Sequence, residues 1–243
     1  MSVLQRVTAV RARDTAVLLL VLFAAALLRF AEPGVVEFFH DEAMVADLAQ
    51  QMVSGERWPL TGIISSVGIP NPPWTIYALA LPFAVSSDPL IATLFIMAWN
   101  TFGVGVVWWI GHRYLGRLSG VIAAMTYALN PWAILYSRKI WAQEYHTAFL
   151  LIALALCLYG IWEISHRPSW RERRFWAQVA APPLMLIGMQ IHFAAWFLMP
   201  AFVYLYWRGR RSLSLLAALI AVALAIATLA PFLIGLAQTL HED

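Results

Sequence analysis

The chain has 243 residues, of which 62% are hydrophobic and 12% charged, and its mean hydropathy is +0.72. Soluble domains are about 45–50% apolar and about 25% charged, so these values exclude an ordinary water-soluble globule and indicate a chain solvated mainly by lipid. The formal net charge is +3, but the basic residues stand in short clusters between apolar runs, which is typical of membrane proteins and not of a nucleic-acid-binding face.

Apolar runs long enough to cross a bilayer, roughly 17–25 residues, recur along the chain. The first, residues 15–31, predicts a membrane anchor and not a signal peptide, because no small-residue cleavage site follows it. Residues 175–207 would form a helix of about 50 Å, which is too long for one span, and predict a hairpin that turns near His192. The sequence thus predicts one all-α membrane module over residues 1–243 with seven transmembrane helices, at residues 15–31, 89–111, 117–136, 145–164, 175–190, 192–207 and 213–236.

One further apolar segment, residues 72–85, is too short for a span and contains Pro82, so it predicts a short interfacial helix. The positive-inside rule tests this interpretation. If the segment does not cross, twelve of the sixteen basic residues lie on the side of the N-terminus; if it crosses, five do. The sequence therefore predicts a plasma-membrane protein with a cytoplasmic N-terminus, an outer C-terminus and a long first outer loop at residues 32–88.

The first outer loop is rich in acidic residues and contains a second predicted helix. Residues 43–53 place apolar side chains at helical spacing, with Asp47, Gln50 and Gln51 on the opposite face. The apolar residues are Met44, Val45, Leu48, Ala49, Met52 and Val53. This pattern predicts an amphipathic juxtamembrane helix on the outer leaflet, with Asp41 at its start. A structural role for Asp41 and Glu42, as an N-cap and a first-turn acid, is the simplest interpretation.

Other polar residues are predicted at the same outer face, and each has a structural interpretation of its own. Arg138 and Lys139 could extend to the lipid headgroups. Glu144 could cap the next span, and His192 could occupy a turn. Their convergence with Asp41 at the rim of a helical bundle favours chemistry between a lipid-borne substrate and a molecule outside. A transporter more often carries such groups at the bilayer midplane.

At these residues the sequence resembles the GT-C class of polyprenyl-phosphate-sugar-dependent glycosyltransferases, especially the protein O-mannosyltransferase and lipid A aminoarabinose transferase group. The resemblance rests on "FFHDEA", "NPPW", "HRYLGRLSG" and "ALNPWAILYSRKIWAQE" in this order, with a basic loop after the fourth span. It implies a seven-helix catalytic module with a large first outer loop. "NPPW" lacks the histidine frequent in the family, so a ligand role is not expected at Asn71, and the C-terminal part of a typical member is expected to be absent.

The resemblance implies transfer of a sugar from a polyprenyl-phosphate carrier to a protein, lipid or glycan acceptor on the outer face. In that interpretation Asp41 is the general base with Glu42 beside it, and Glu144 stands where relatives commonly carry a second acid. Arg138 and Lys139 would hold the carrier phosphate, which needs compensation of its charge and not a general acid, and single displacement would invert the anomeric centre. The remaining predicted substrate-binding residues are His40 and His192.

Metal use is not decided by the sequence. A divalent ion between Asp41, Glu42, Glu144 and His192 is compatible with carboxylate and imidazole chemistry. The single cysteine, Cys157, excludes an internal disulfide and a multi-cysteine metal site.

Two rival functions come from other classes. A transporter or lipid flippase would use Asp41, Glu144 and Arg138 as a relay or gate, and would bury Glu144 at mid-membrane. A non-catalytic membrane subunit would turn Asp41 toward lipid headgroups and not into a cavity.

Overall fold

The structure is a computed structural model that describes residues 3–35, 37–65 and 68–242, without the side chains of residues 3–11, 144 and 240–242. Within these ranges the one extended pairing is an antiparallel bridge between Ile64 and Pro70, which confirms the predicted all-α fold. A π-helical turn (Leu158–Trp162) extends α7, and 3-10 turns (Phe193–Leu198 and Arg210–Ser212) flank α9. The described α-helices are α1 (Val3–Phe30), α2 (His40–Ser54), α3 (Trp74–Phe83), α4 (Pro89–Tyr114), α5 (Arg117–Leu129), α6 (Pro131–Tyr136), α7 (Ala142–Cys157), α8 (Arg173–Ile191), α9 (Met199–Arg208) and α10 (Leu215–Glu242).

Several helices have the length and apolar character of membrane spans. Among the described residues, three segments are long and apolar enough to cross a bilayer: α4, the combined α7 and π-helical segment Tyr145–Trp162, and Leu215–Thr239 of α10. Large apolar side chains such as Phe23 and Leu219 are more than 60% exposed on the outside of the bundle. An apolar exterior of this kind is what a bilayer solvates. The predicted number of seven spans stays a prediction.

Two predicted spans are not continuous helices. Residues 117–136 break between α5 and α6, because Pro131 lacks an N–H and the side chain of Asn130 accepts from the backbone N–H of Trp132 at 2.9 Å to begin a new helix. Residues 192–207 begin as a 3-10 turn and become α-helical at Met199, with Pro200 in the first turn of α9. The sequence contained both prolines, but the prediction treated each run as one span.

The first helix is longer than predicted. It begins at Val3 and not near residue 15, because residues 3–30 contain no Gly or Pro and the basic segment simply continues the helix. At 28 residues α1 is about 42 Å long, more than the hydrocarbon core requires.

Ion pairs join several helices at one end of the bundle, which we call the basic end. Asp14 of α1 pairs with Arg117 of α5. Glu163, directly after the π-helical turn, accepts hydrogen bonds from Arg113 of α4 and Arg174 of α8. We call the opposite end the loop end. The segment between α1 and α4, the α6–α7 connection and the turn at residue 192 lie there. The positive-inside count of the basic residues predicted that the helix ends at the basic end lie on one side.

A buried arginine fastens α1 to α5 at the loop end. Arg29 is fully buried, and its guanidinium donates to the carbonyls of Ala128 at 3.1 Å and Tyr127 at 3.2 Å. These carbonyls belong to the last turn of α5, where a helix has no intrahelical donors for its C=O groups. The guanidinium also lies 5.6 Å from the centre of the Tyr127 ring. Arg29 therefore completes the C-terminus of a neighbouring helix.

The amphipathic helix α2 packs on α3 at the loop end. Its buried apolar residues are Val45, Ala46 and Ala49, which join a core that includes α3, α4, α7 and α8. Met44 and Val53, predicted on the apolar face, are about 40% exposed. The rest of the predicted apolar face packs against neighbouring helices: Val45 and Ala49 are buried, and Leu48 and Met52 are partly buried against the same core.

Candidate functional site

A cavity of about 470 Å³ opens at the loop end, and we call it the Asp41 cavity. It lies between the first turn of α2, residues 62–65, the start of α3, residues 140–143 and the turn at residues 191–193. Apolar walls with a few polar groups are typical of small-molecule sites. The polar residues that line it are Asp41, Ser65, Asn71, Thr75, Gln143 and His192.

Asp41 is exposed at the second position of α2. The N-cap of this helix is Phe39, so the predicted capping role of Asp41 is wrong. A first-turn carboxylate is favoured by the partial positive charge of the helix N-terminus. Asp41 does not cap α2 and is among the residues that line the cavity.

Glu42, the next residue, has a different environment. It is buried, with 1% of its surface exposed, and is not among the residues that line the Asp41 cavity. Its Oε2 accepts from the backbone N–H of Phe39 at 3.1 Å, while Oε1 has no partner among the described residues. These contacts favour the structural interpretation, in which Glu42 stabilises the start of α2.

The turn after α8 brings His192 to the Asp41 cavity, and the first turns of α7 hold two residues that the sequence interpretation missed: Gln143, which lines the cavity, and His146, which lies beside His192. His192 is extended, its Nδ1 accepts from the N–H of Ala194 at 3.3 Å, and burial lowers its pKa. Its ring centre lies 5.7 Å from that of His146. Gln143 Oε1 and His146 Nδ1 are buried without partners among the described residues. Polar residues in the first turns of an apolar span were the signal for both.

The segment between α2 and α3 forms the remaining wall. Asn71 Nδ2 donates to the carbonyl of Ile63 at 2.9 Å, and the N–H of Gly62 donates to the Asn71 carbonyl at 2.6 Å. A Cβ on Gly62 would lie 3.0 Å from the Pro72 carbonyl oxygen, so any other residue here would require the two segments to move apart by a few tenths of an ångström. Asn71 therefore shapes the wall through its amide.

Arg138 and Lys139 line a second cavity, of about 540 Å³, which we call the cation cavity. Arg138 Nη2 donates to the carbonyl of Glu32 at 2.6 Å, and Lys139 forms an ion pair with Glu37. Glu32 has a φ of +50°, which is uncommon for a residue other than glycine. Both cations are thus engaged by the loop that follows α1.

Consecutive residues of one short segment line the two cavities. Residues 138 and 139 line the cation cavity, and residues 140–143 line the Asp41 cavity. The structure thus brings Asp41 and His192 to one cavity, and Arg138 and Lys139 to the other. Their shared segment, residues 138–143, is the connection between α6 and α7.

Of the two remaining predicted site residues, one lies outside these cavities and the side chain of the other is not described. His40 is exposed and is not among the lining residues of either cavity. Glu144 lies in the first turn of α7, but its side chain is outside the described residues. Within the described part of the chain no group of three His, Cys, Asp or Glu side chains could hold a metal ion, and the divalent ion stays a prediction.

Comparison with known proteins yields one likeness of fold. No protein-family model and no curated protein matches the sequence. The structure is similar to the crystal structure of ArnT from Cupriavidus metallidurans bound to undecaprenyl phosphate, with a TM-score of 0.61 and 16% identity. The match covers 93% of this chain and 42% of the ArnT chain, so this chain spans less than half of that length. The fold is therefore GT-C-like, as the sequence resemblance implied.

Proposed function

We propose that this chain forms the catalytic module of a membrane glycosyltransferase, which moves a sugar from a polyprenyl-phosphate carrier to a hydroxyl acceptor. The observation that carries the proposal is the lining of the two cavities by the consecutive residues 138–143. A carboxylate and two cations on either side of one segment are the groups that a sugar transfer from a phosphate requires. ArnT, which shares the fold, is bound to undecaprenyl phosphate in its structure, and this supports the class of carrier.

The proposed reaction is a single displacement. The acceptor oxygen forms a bond to the anomeric carbon as the bond between that carbon and the phosphate oxygen breaks, which inverts the anomeric centre. Asp41 takes the proton of the acceptor hydroxyl, and the lipid phosphate leaves with the electron pair of the broken bond. Arg138 and Lys139 compensate the charge of that phosphate, with arginine able to offer paired donors to two oxygens.

The cavity lining also suggests where the sugar binds. Gln143 and His192 line the Asp41 cavity, and the amide oxygen of Gln143 has no partner among the described residues. Sugar hydroxyls both donate and accept, so amide and imidazole groups suit them. In this proposal Gln143 and His192 orient the sugar so that its anomeric carbon faces Asp41.

The donor phosphate must compete with the loop for the cations. Glu37 neutralises Lys139, and the Glu32 carbonyl accepts from Arg138. A donor phosphate therefore binds only as these contacts open, since it needs the same donors. We further propose that the loop end faces the outside of the plasma membrane, as the distribution of arginines favours.

A non-catalytic subunit would leave Asp41 facing lipid headgroups. Asp41 instead lines a concave wall with polar neighbours, which favours a substrate site. This observation supports an enzyme over a structural partner.

The decisive experiment supplies membranes containing the chain with labelled polyprenyl-phosphate sugars and measures donor binding and sugar transfer separately. Asp41→Asn should abolish transfer and leave donor binding nearly unchanged, since shape is kept and the base is lost. Asp47→Asn is the matched control, because Asp47 is exposed on the same helix and bonds to Gln51. Arg138→Ala should weaken donor binding and transfer together.

Two outcomes would contradict the proposal. Transfer by Asp41→Asn at the wild-type rate would remove Asp41 from the mechanism. Donor binding that Arg138→Ala leaves unchanged would remove the cation cavity from it.

A further inference from the structure

A third concave feature lies on the outside of the bundle and shares no lining residue with the Asp41 cavity or the cation cavity. It is an apolar groove of about 410 Å³ between α4 and the α7 segment. The same helical spacing of i, i+3, i+4 and i+7 supplies both walls, so each wall is one continuous helix face. The lining residues are Phe102, Gly105, Val106 and Trp109 on one side and Ile152, Ala155, Leu156 and Tyr159 on the other.

The dimensions of the groove suit one hydrocarbon chain. From residue 102 to residue 109 the wall is about 10 Å long. One leaflet contributes about 15 Å of hydrocarbon, half of the roughly 30 Å core. A partner helix that spans the membrane would need a contact face of about 30 Å, which is much longer than this wall. The groove therefore accommodates a lipid chain within a single leaflet.

A cluster of charges closes the groove at the basic end. Arg113 continues the α4 wall one turn beyond Trp109, and its guanidinium carbon lies 5.5 Å from the Trp109 ring and 5.8 Å from the Tyr159 ring. Glu163, one turn beyond Tyr159, accepts from Arg113, Arg174 and the Tyr114 hydroxyl.

The balance of this cluster is positive. The hydrogen bond from Arg113 lowers the pKa of Glu163 to about 2, so the carboxylate stays ionised. Two guanidinium groups face one carboxylate, which leaves one positive charge in excess. Arg113 donates to Glu163 through Nε and Nη2, and 42% of its side chain is exposed. Its remaining N–H groups are available to a headgroup.

We infer that the groove between α4 and α7 is a binding site for an anionic phospholipid, with one acyl chain between Trp109 and Tyr159 and the headgroup phosphate on Arg113. Arginine suits a phosphate through paired donors, and an aromatic residue on each side lies where membrane proteins contact headgroups. The site is independent of the proposed transferase chemistry, because Arg113 lies at the basic end and Asp41 at the loop end.

The test is native mass spectrometry of the full chain in neutral micelles, titrated with phosphatidylglycerol or phosphatidylcholine of the same acyl chains. The wild-type chain should bind phosphatidylglycerol more tightly than phosphatidylcholine. Arg113→Gln should weaken that binding about fivefold, the effect of one interfacial charge, and leave phosphatidylcholine unchanged. Arg171→Gln, which removes an equal charge from an exposed side chain at the same end, should change neither.

A second pair of variants tests the groove itself and does not depend on the ion pairs. Ala155→Trp fills the groove and should reduce occupancy by phosphatidylglycerol, whereas Leu219→Trp on the exposed side of α10 should not. Equal affinity for the two lipids in wild type would overturn the inference. So would equal occupancy in the two tryptophan variants, or binding of glycerol phosphate as tight as that of the lipid.

Discussion

The ion pair between Glu37 and Lys139 makes a quantitative prediction about donor binding. Glu37→Gln keeps the shape of the side chain and removes the carboxylate that occupies Lys139. Because 52% of the Glu37 side chain is exposed, the pair itself contributes no more than about 0.5 kcal/mol. Removing a negative charge next to the incoming phosphate adds a similar amount. The sum of about 1 kcal/mol predicts about fivefold tighter donor binding.

The assay is equilibrium binding of labelled undecaprenyl phosphate to the purified chain at low and at high salt. Glu56→Gln is the matched control, since Glu56 is an exposed carboxylate in the same loop. The advantage of Glu37→Gln over this control should shrink at high salt, because screening weakens exposed charge interactions. Equal or weaker binding by Glu37→Gln would refute the competition between Glu37 and the donor phosphate.

Three further predictions concern stability and topology. Glu42→Ala should lower the melting temperature by a few degrees, because it removes the acceptor of the Phe39 N–H, a cap contact of about 1 kcal/mol, and should leave donor binding unchanged. Because burial lowers the pKa of His192 in the folded state, the unfolded chain binds more protons and stability should fall as pH drops below about 6.5. Between pH 7.5 and pH 5 the melting temperature should therefore decrease less for His192→Asn than for the wild type. Ser87→Cys should react with an impermeant maleimide added outside cells, whereas Ser169→Cys should not; Cys157 is buried and gives no background.

Charge and hydropathy predicted the large-scale organisation of the fold well, and for a physical reason. Arginine clusters record which helix ends lie together, and the basic end indeed joins Asp14 to Arg117 and Glu163 to Arg113. The all-helical fold and the short helix α3 follow from apolar run length and from Pro82. These features depend on local composition, which a single sequence contains.

The details of the site depend on packing, which a single sequence does not contain. Asp41 and Glu42 are adjacent carboxylates about 100° apart around a helix, so one can face a cavity while the other is buried. Packing of α2 on the core buries Glu42 together with Val45, Ala46 and Ala49, and leaves Asp41 exposed. The loop that reaches Arg138 lies about a hundred residues away in sequence. By contrast, the break at Asn130-Pro131 was readable from residue type alone.

The buried Arg29 has a consequence for how the chain enters the membrane during its synthesis. The carbonyls that receive its guanidinium lie 98 and 99 residues later in the sequence. At about 5–20 residues per second, a ribosome needs about 5–20 s to produce them. Throughout that interval the first helix holds a cation at its end whose final acceptors do not yet exist, so it must wait at the water interface, where the long side chain can stay hydrated. The buried contacts of Arg29 can therefore form only after the fifth helix has been made.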